Sequence, residues 1–575
     1  MPWPVERTAT AAIGHPDGVL SDINFGEVFP FVAKPLAQDF LARYIGPLLC
    51  AQFAGLPRGH PLVLALNPMA FVAGRPYMDL SAYVTIPALG LNLRSFESVD
   101  QTKGASIVAL AQAGRLRPLP IPLAARLTLF RAYVYLSLRS LVRLLRTQTP
   151  VALLKAYRKK ADDMRRLMDE PVAEQSSAEL LRALDQRFQD EREATNDGLQ
   201  HLSLAMVLHG ALQRLLAGRV TSVLLHDLGQ GISNNLTTEV GLDLWDLAQD
   251  AKPLAPLFLE TGPEQLPARL QATEEGLTWW RSFEQFLARH GHRGEIELDI
   301  SSPRWREQPR FLLQTIANYL RHPETAPSPH ALVAEGRRRR ETAAASVRKE
   351  LPFGLRLLFD WQYRRYVLWM PFREAGKYVG LLWLDYSRKV YRELGQRLVN
   401  EGQLQTVDDV FWLGLTELEA WAITKIAEWT PDLLRERRQR WHVWCALQPP
   451  PLLIGTESVE LRSAPAERAP VTVLHGTPAS TGQAEGVARV MTDPQDAELL
   501  QGEILVTRYT DPAWTPLFFT ASALITEVGG VLSHGAVVAR EVGLPAIVGV
   551  ANATTIIRSG RRLRVNATVG TVELL

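Results

Sequence analysis

The stretch Thr526-Glu-Val-Gly-Gly-Val-Leu-Ser-His-Gly-Ala-Val-Val-Ala-Arg-Glu-Val-Gly-Leu-Pro-Ala-Ile-Val548 decides how the C-terminal part of this chain folds. Just before it, Ala523-Leu-Ile-Thr526 is a short apolar run suited to a buried strand. Gly529-Gly530 permits a tight turn. Ser533 is an N-cap residue, so the pattern predicts a helix from His534 to about Glu541. Gly543 and Pro545 stop that helix, and Ala546-Ile-Val-Gly-Val550 resumes as a strand. The positive end of a helix disfavours imidazolium, so a histidine in the first turn stays neutral and nucleophilic. The free N–H groups of that turn also welcome a phosphate. Thr526 and Arg540 flank the histidine, as groups that orient it or its phosphate; Arg540 is equally read as a structural ion-pair partner.

A lone Ser-His in a strand–helix–strand unit is ordinarily a capped core histidine. Its neighbours speak against that here. The run Gly529 to Ala546 resembles the phosphohistidine swivelling domain of the phosphoenolpyruvate-utilising enzymes. The likeness extends through Gly476-Thr-Pro-Ala-Ser-Thr-Gly-Gln-Ala-Glu-Gly-Val-Ala-Arg-Val490 and Gly502-Glu-Ile-Leu-Val-Thr-Arg-Tyr-Thr-Asp-Pro-Ala-Trp-Thr-Pro-Leu-Phe518. The resemblance implies that His534 carries a phosphoryl group between two distant sites, with Ser533 and Gly530 beside it.

The bulk composition fits such a protein. The chain has 575 residues, 46% hydrophobic and 22% charged, with net charge +2. That is ordinary for a globular protein of several domains. Cys50 and Cys445 make neither a metal spacing nor a disulfide framework, which suits a reduced cytoplasmic setting. No secretory signal opens the chain. The longest apolar stretch, Leu127 to Leu145, is interrupted by Arg131, Arg139 and Arg143 at helical spacing. It reads as an amphipathic helix, and no membrane partner is expected.

Residues 1–20 read as an irregular lead-in, and 21–445 as a mainly helical acceptor domain. Asn24-Phe-Gly-Glu-Val-Phe-Pro and Gly74-Arg-Pro-Tyr-Met-Asp-Leu-Ser81 are similar to segments of the family's rifampicin phosphotransferase-like members. Leu, Ala and Arg recur at helical spacing across Ala178–Leu215. Gly229-Gln-Gly231 is a loop ahead of a helix and not a dinucleotide fingerprint. Arg337 to Arg340 would cover all sides of a helix, as a solvated face, and no nucleic-acid partner is expected. Trp279, Trp280, Trp361 and Trp369 are core residues or a lining for a ring-bearing acceptor.

Two stretches carry the chemistry of this part. Gly291-His-Arg-Gly-Glu-Ile-Glu-Leu-Asp299 is rich in His, Arg and carboxylates, and with Pro303-Arg-Trp305 it is similar to a family segment near the acceptor. In that setting His292 and Arg293 are acceptor-site residues, His292 assisting proton transfer, and Glu297 or Asp299 hold Mg²⁺; the same residues also suit a salt-bridged loop. Phe372-Arg-Glu-Ala-Gly-Lys-Tyr378 sets Arg373 and Lys377 on one helix face, able to grip a phosphate. This segment resembles the family helix whose Arg and Lys line the transfer site, which gives Arg373 and Lys377 that role.

Residues 446–470 read as a Pro-rich linker, long enough to span about 80 Å extended. The swivelling β/β/α domain then occupies 471–575. The expected class is therefore α+β. No Walker loop and no room for an ATP-grasp domain are seen, so the expected donor is ATP bound by a separate ATP-grasp protein, with Mg²⁺ at that half-reaction. The expected activity is transfer from phospho-His534 to the hydroxyl of a small molecule. The alternative is a non-catalytic phosphocarrier or scaffold, in which the helical part binds a protein. An apolar pocket with Arg373 and Lys377 at its mouth would favour the enzyme, and a filled helical part the scaffold.

Overall fold

The computed structural model describes residues 4–7, 18–23, 25–29, 31–57, 59–87, 93, 96, 101–145, 149–190, 192–232, 236–321, 328–459, 473–492, 499–511, 514–531 and 533–575. Its architecture is a large helical part followed by a β-rich domain, as the sequence implies.

The axis of the helical part is Phe372–Asn400, a 29-residue helix. Pro371 separates it from the preceding helix Phe353–Trp369, since proline supplies no N–H and disfavours helix in the residue before it. It is buried along most of its length, and its aromatic and aliphatic side chains fill the main core. Trp383 stacks on Phe40 with ring centroids 5.1 Å apart and lies 4.5 Å from Phe188. The apolar side chains of the long helix are enclosed by Thr149–Leu167 and Arg192–Leu216, which pack against it.

The helical part also carries a six-stranded antiparallel sheet, which the sequence reading does not contain. Its order is Val5–Arg7, Met69–Val72, Arg75–Asp79, Val19–Ser21, Leu452–Ile454, Glu457–Ser458. Met69–Val72 and Arg75–Asp79 form a hairpin through Ala73 and Gly74, both at positive φ (47° and 71°). So residues 1–20 include two strands. The first part of the Pro-rich stretch is a strand pair of this sheet, and a tether would be confined to the 460–472 span, which lies outside the described residues. Strands of two to five residues give no readable alternation, and proline in the stretch obscures them further.

The C-terminal domain holds an eight-stranded sheet, in the order Val473–His475, Thr571–Leu574, Arg562–Asn566, Gln483–Val490, Ile504–Thr507, Ala523–Thr526, Ala546–Val548, Thr477–Ser480. Gln483–Val490, Ile504–Thr507, Ala523–Thr526 and Ala546–Val548 are joined by parallel pairing and the rest by antiparallel. Ile504–Thr507 and Ala523–Thr526 are buried at every position, the signature of strands covered on both faces. The helix His534–Val542 is the crossover between two parallel neighbours, Ala523–Thr526 and Ala546–Val548.

The two parts share one apolar core. Val240, Leu244 and Trp245 of the helix Leu236–Asp250 pack with Leu517, Phe518 and Phe519 of the C-terminal domain. Gly241 makes room for a ring here: a Cβ at that position would lie 2.3 Å from Phe519. Polar contacts lock the same face. Tyr319 donates to the carbonyl of Pro516 (2.6 Å), and Thr238 donates to Glu541 (2.8 Å).

Candidate functional site

His534 is the first residue of its helix. Ser533, in extended backbone conformation, caps it by accepting a hydrogen bond from the Ala536 N–H (3.3 Å). Gly529 at φ 124° makes the turn before it, and Gly543 at φ 73° closes the helix. Arg540 donates from Nη2 to the carbonyls of Ala479 (2.7 Å) and Val531 (2.9 Å). It thus ties the loop before the histidine to its own helix, and these contacts are structural. Thr526 ends the neighbouring strand, its buried hydroxyl without a hydrogen-bond partner among the described residues.

The C-terminal domain presses this histidine against the start of the Phe372–Asn400 helix, leaving it 8% exposed. Nδ1 lies 3.7 Å from Glu374 Oε2, and Nε2 lies 3.3 Å from Thr515 Oγ1. Burial holds the imidazole pKa below its ordinary value; Glu374 opposes this and Lys377 adds to it. The ring is therefore neutral at neutral pH. Lys377 Nζ is 3.2 Å from Glu297 Oε2, and Arg293 Nη1 donates to Glu297 Oε1 at 2.8 Å. Glu297 thus bridges two cations beside the histidine, of which Lys377 keeps part of its side chain exposed.

The other acceptor-segment residues are placed differently. His292 is fully enclosed, with its ring edge-on to Tyr378 (4.9 Å) and neither nitrogen hydrogen-bonded among the described residues. Burial, and then the neighbouring Arg293, keep its pKa well below the usual histidine range. Asp299 accepts from the N–H (2.7 Å) and hydroxyl (2.9 Å) of Ser301 and stabilises its own loop. Arg373 sits in the first turn of the long helix, and its side chain lies outside the described residues. Among the described residues no three His, Cys, Asp or Glu side chains gather to hold a metal. Glu297 is neutralised by two cations and both oxygens of Asp299 are taken up by hydrogen bonds from Ser301, so this donor set does not fit Mg²⁺. Trp279 stacks on Phe283, and Trp369 is buried in the main core.

Glu374 and Thr515 are the close partners of His534 that the sequence reading does not single out. Glu374 stands between the two basic residues that are singled out, three residues before Lys377, and that spacing was a usable signal. The Gly229–Gly231 loop also has a place here. The Gly231 N–H bonds the Glu541 carbonyl (3.4 Å) at the end of the histidine helix. Arg340 is buried and holds this loop by donating to the Gly231 carbonyl (2.7 Å), whereas Arg337, Arg338 and Arg339 pair with Glu341 and Glu335 on an exposed face.

A capped histidine on a separate β-rich domain, seated against a helix end of a second domain that carries Glu374 and Lys377, defines a swivelling-domain architecture. Residues 197–374 match the family model for the rifampicin phosphotransferase fourth domain, and residues 499–570 that for the mobile domain of the PEP-utilising enzymes. The chain is 32% identical over 362 residues to a rifampicin phosphotransferase of Bacillus cereus, an overlap covering 60% of this chain and 41% of that one. It is 34% identical over 349 residues to one of Streptomyces sviceus, covering 59% and 40%. It is 32% identical over 387 residues to the prodigiosin synthesizing transferase PigC of Serratia marcescens, covering 65% and 43%. The chain is thus homologous to the phosphoenolpyruvate-utilising enzymes, especially rifampicin phosphotransferase-like proteins with a mobile swivelling domain. It spans about two fifths of the length of these relatives.

Proposed function

We propose that this chain is a phosphotransferase component in which His534 receives a phosphoryl group and passes it to the hydroxyl of a small molecule held by the helical part. The donor is ATP, bound by a separate ATP-grasp protein. The observation that carries this reading is the seating of His534 between Glu374 and Thr515, with Lys377 beside it.

The chemistry follows from that seating. Glu374 faces Nδ1 and favours the proton there, which leaves the Nε2 lone pair as nucleophile. Once Nε2 is phosphorylated, the protonated ring is a good leaving group and Glu374 offsets its charge. The acceptor oxygen attacks phosphorus, the N–P bond breaks, and its electron pair returns to Nε2. Lys377, with Arg373 one turn earlier, neutralises the phosphoryl oxygens, and the acceptor proton passes to water. Such catalysis is mostly positioning and charge stabilisation. Glu297 holds Lys377 in place.

The test is intact-mass and acid-lability analysis after incubation with ATP and Mg²⁺, with and without an active ATP-grasp protein encoded nearby, for wild type and His534→Ala. An acid-labile phosphate appears only with the partner and only on wild type. Labelling of the variant, or none of the wild type under any condition, overturns the reading and leaves the scaffold alternative.

A further inference from the structure

From Gln101 to Ala161 the chain has twelve Lys and Arg and no Asp or Glu. With +12 here and +2 overall, the rest of the chain is net −10. Charge is thus segregated into one segment, which a globular fold does not require. At its centre is the 23-residue helix Leu123–Leu145. It rests on the helix Gly46–Ala54 and on Arg192–Leu216. Leu129 and Ala132 face inward, and Ala132 approaches so closely that a Cβ at Gly55 would lie 3.0 Å from its carbonyl oxygen.

The outward face is not the polar one expected of a surface helix. Leu123, Leu127, Phe130, Val134, Leu138 and Leu141 recur at three- and four-residue steps and are 40–72% exposed. They form one ridge about 27 Å long. Arg126 flanks it on one side and Arg131 on the other, both exposed. An unbroken apolar ridge of this length is unusual on a water-facing surface.

We propose that this helix lies on an anionic lipid bilayer, with the leucine ridge among the acyl chains and the flanking arginines at the headgroup phosphates. Three observations favour a bilayer over a protein partner. The apolar residues form a convex ridge on a single helix, which suits a plane. The arginines stand on both sides of it, where long side chains reach the headgroup level. The absence of any acidic side chain over the whole segment removes repulsion from anionic lipid. Among the described residues no helix is long and apolar enough to cross a membrane. Attachment along a surface needs no crossing, so the expectation of no membrane partner, which rests on the lack of a span, does not extend to it.

The test is co-sedimentation of the full chain with phosphatidylcholine vesicles with and without phosphatidylserine, at low and high salt. Wild type binds the phosphatidylserine vesicles at least about tenfold more tightly than the neutral ones, and high salt weakens that binding. Leu127→Glu/Leu138→Glu, both on the exposed ridge, lowers binding at least about tenfold with an unchanged melting transition. Failure of wild type to bind anionic vesicles overturns the proposal, as does undiminished binding by the variant. A wild-type dimer that the double variant converts to monomer also overturns it, because the ridge is then covered by a second copy.

Discussion

His534 meets two charged side chains from the facing domain that act on it in opposite senses. Glu374 raises its pKa and Lys377 lowers it, on a background of burial that keeps it below the ordinary value. Glu374→Gln therefore extends the neutral, nucleophilic form to lower pH, and the acid limb of the pH–rate profile for back-transfer from the phosphorylated product to His534, which takes place in this docked state, moves down. Lys377→Met moves the same limb up. It also cuts the transfer rate by about 10²-fold, the usual loss for one group stabilising transition-state charge. Profiles of the two variants against wild type check both signs; shifts in the same direction would exclude this electrostatic assignment.

At the scale of the element, the histidine helix is nine residues long and depends on its ends. The Ser533 side chain satisfies the Ala536 N–H, and Gly543 takes the left-handed conformation that closes the other end. Ser533→Ala is expected to lower stability by about 1 kcal/mol, measured by urea denaturation, while Ser533→Thr or Ser533→Asp retains most of it. The long helix Phe372–Asn400 needs no such support. It is enclosed by aromatic packing, and it brings Glu374 and Lys377 to the histidine because its N-terminal end meets the C-terminal domain.

At the scale of the whole molecule, the site is complete only while the two parts are docked. The interface rests on Phe518 and Phe519 packing against Leu236–Asp250, and on the absence of a side chain at Gly241. Gly241→Val puts carbon atoms where the Phe519 ring lies. Charging of His534 by the donor protein should survive this change, while transfer to the acceptor falls by tenfold or more. Single-turnover assays of the two half-reactions separate them. Equal loss in both would mean that the substitution damages the fold and not the docking.

By itself the sequence determined the strand–helix–strand unit around His534, because its signals are local: a four-residue apolar run, a glycine turn, a serine cap and a glycine–proline stop. It also set Arg373 and Lys377 on one face, since helical periodicity fixes which residues are neighbours. It did not determine the six-stranded sheet, whose strands are short and come from both ends of the helical part. Nor did it reveal that Asp299 is held by Ser301, that Arg340 leaves the exposed arginine row to brace a loop, or that Glu374 faces His534 across 160 residues of chain. Those are decisions of tertiary packing. A side chain's type gives its chemistry, but which partner consumes that chemistry is set by contacts between residues far apart in sequence, and no local pattern encodes them.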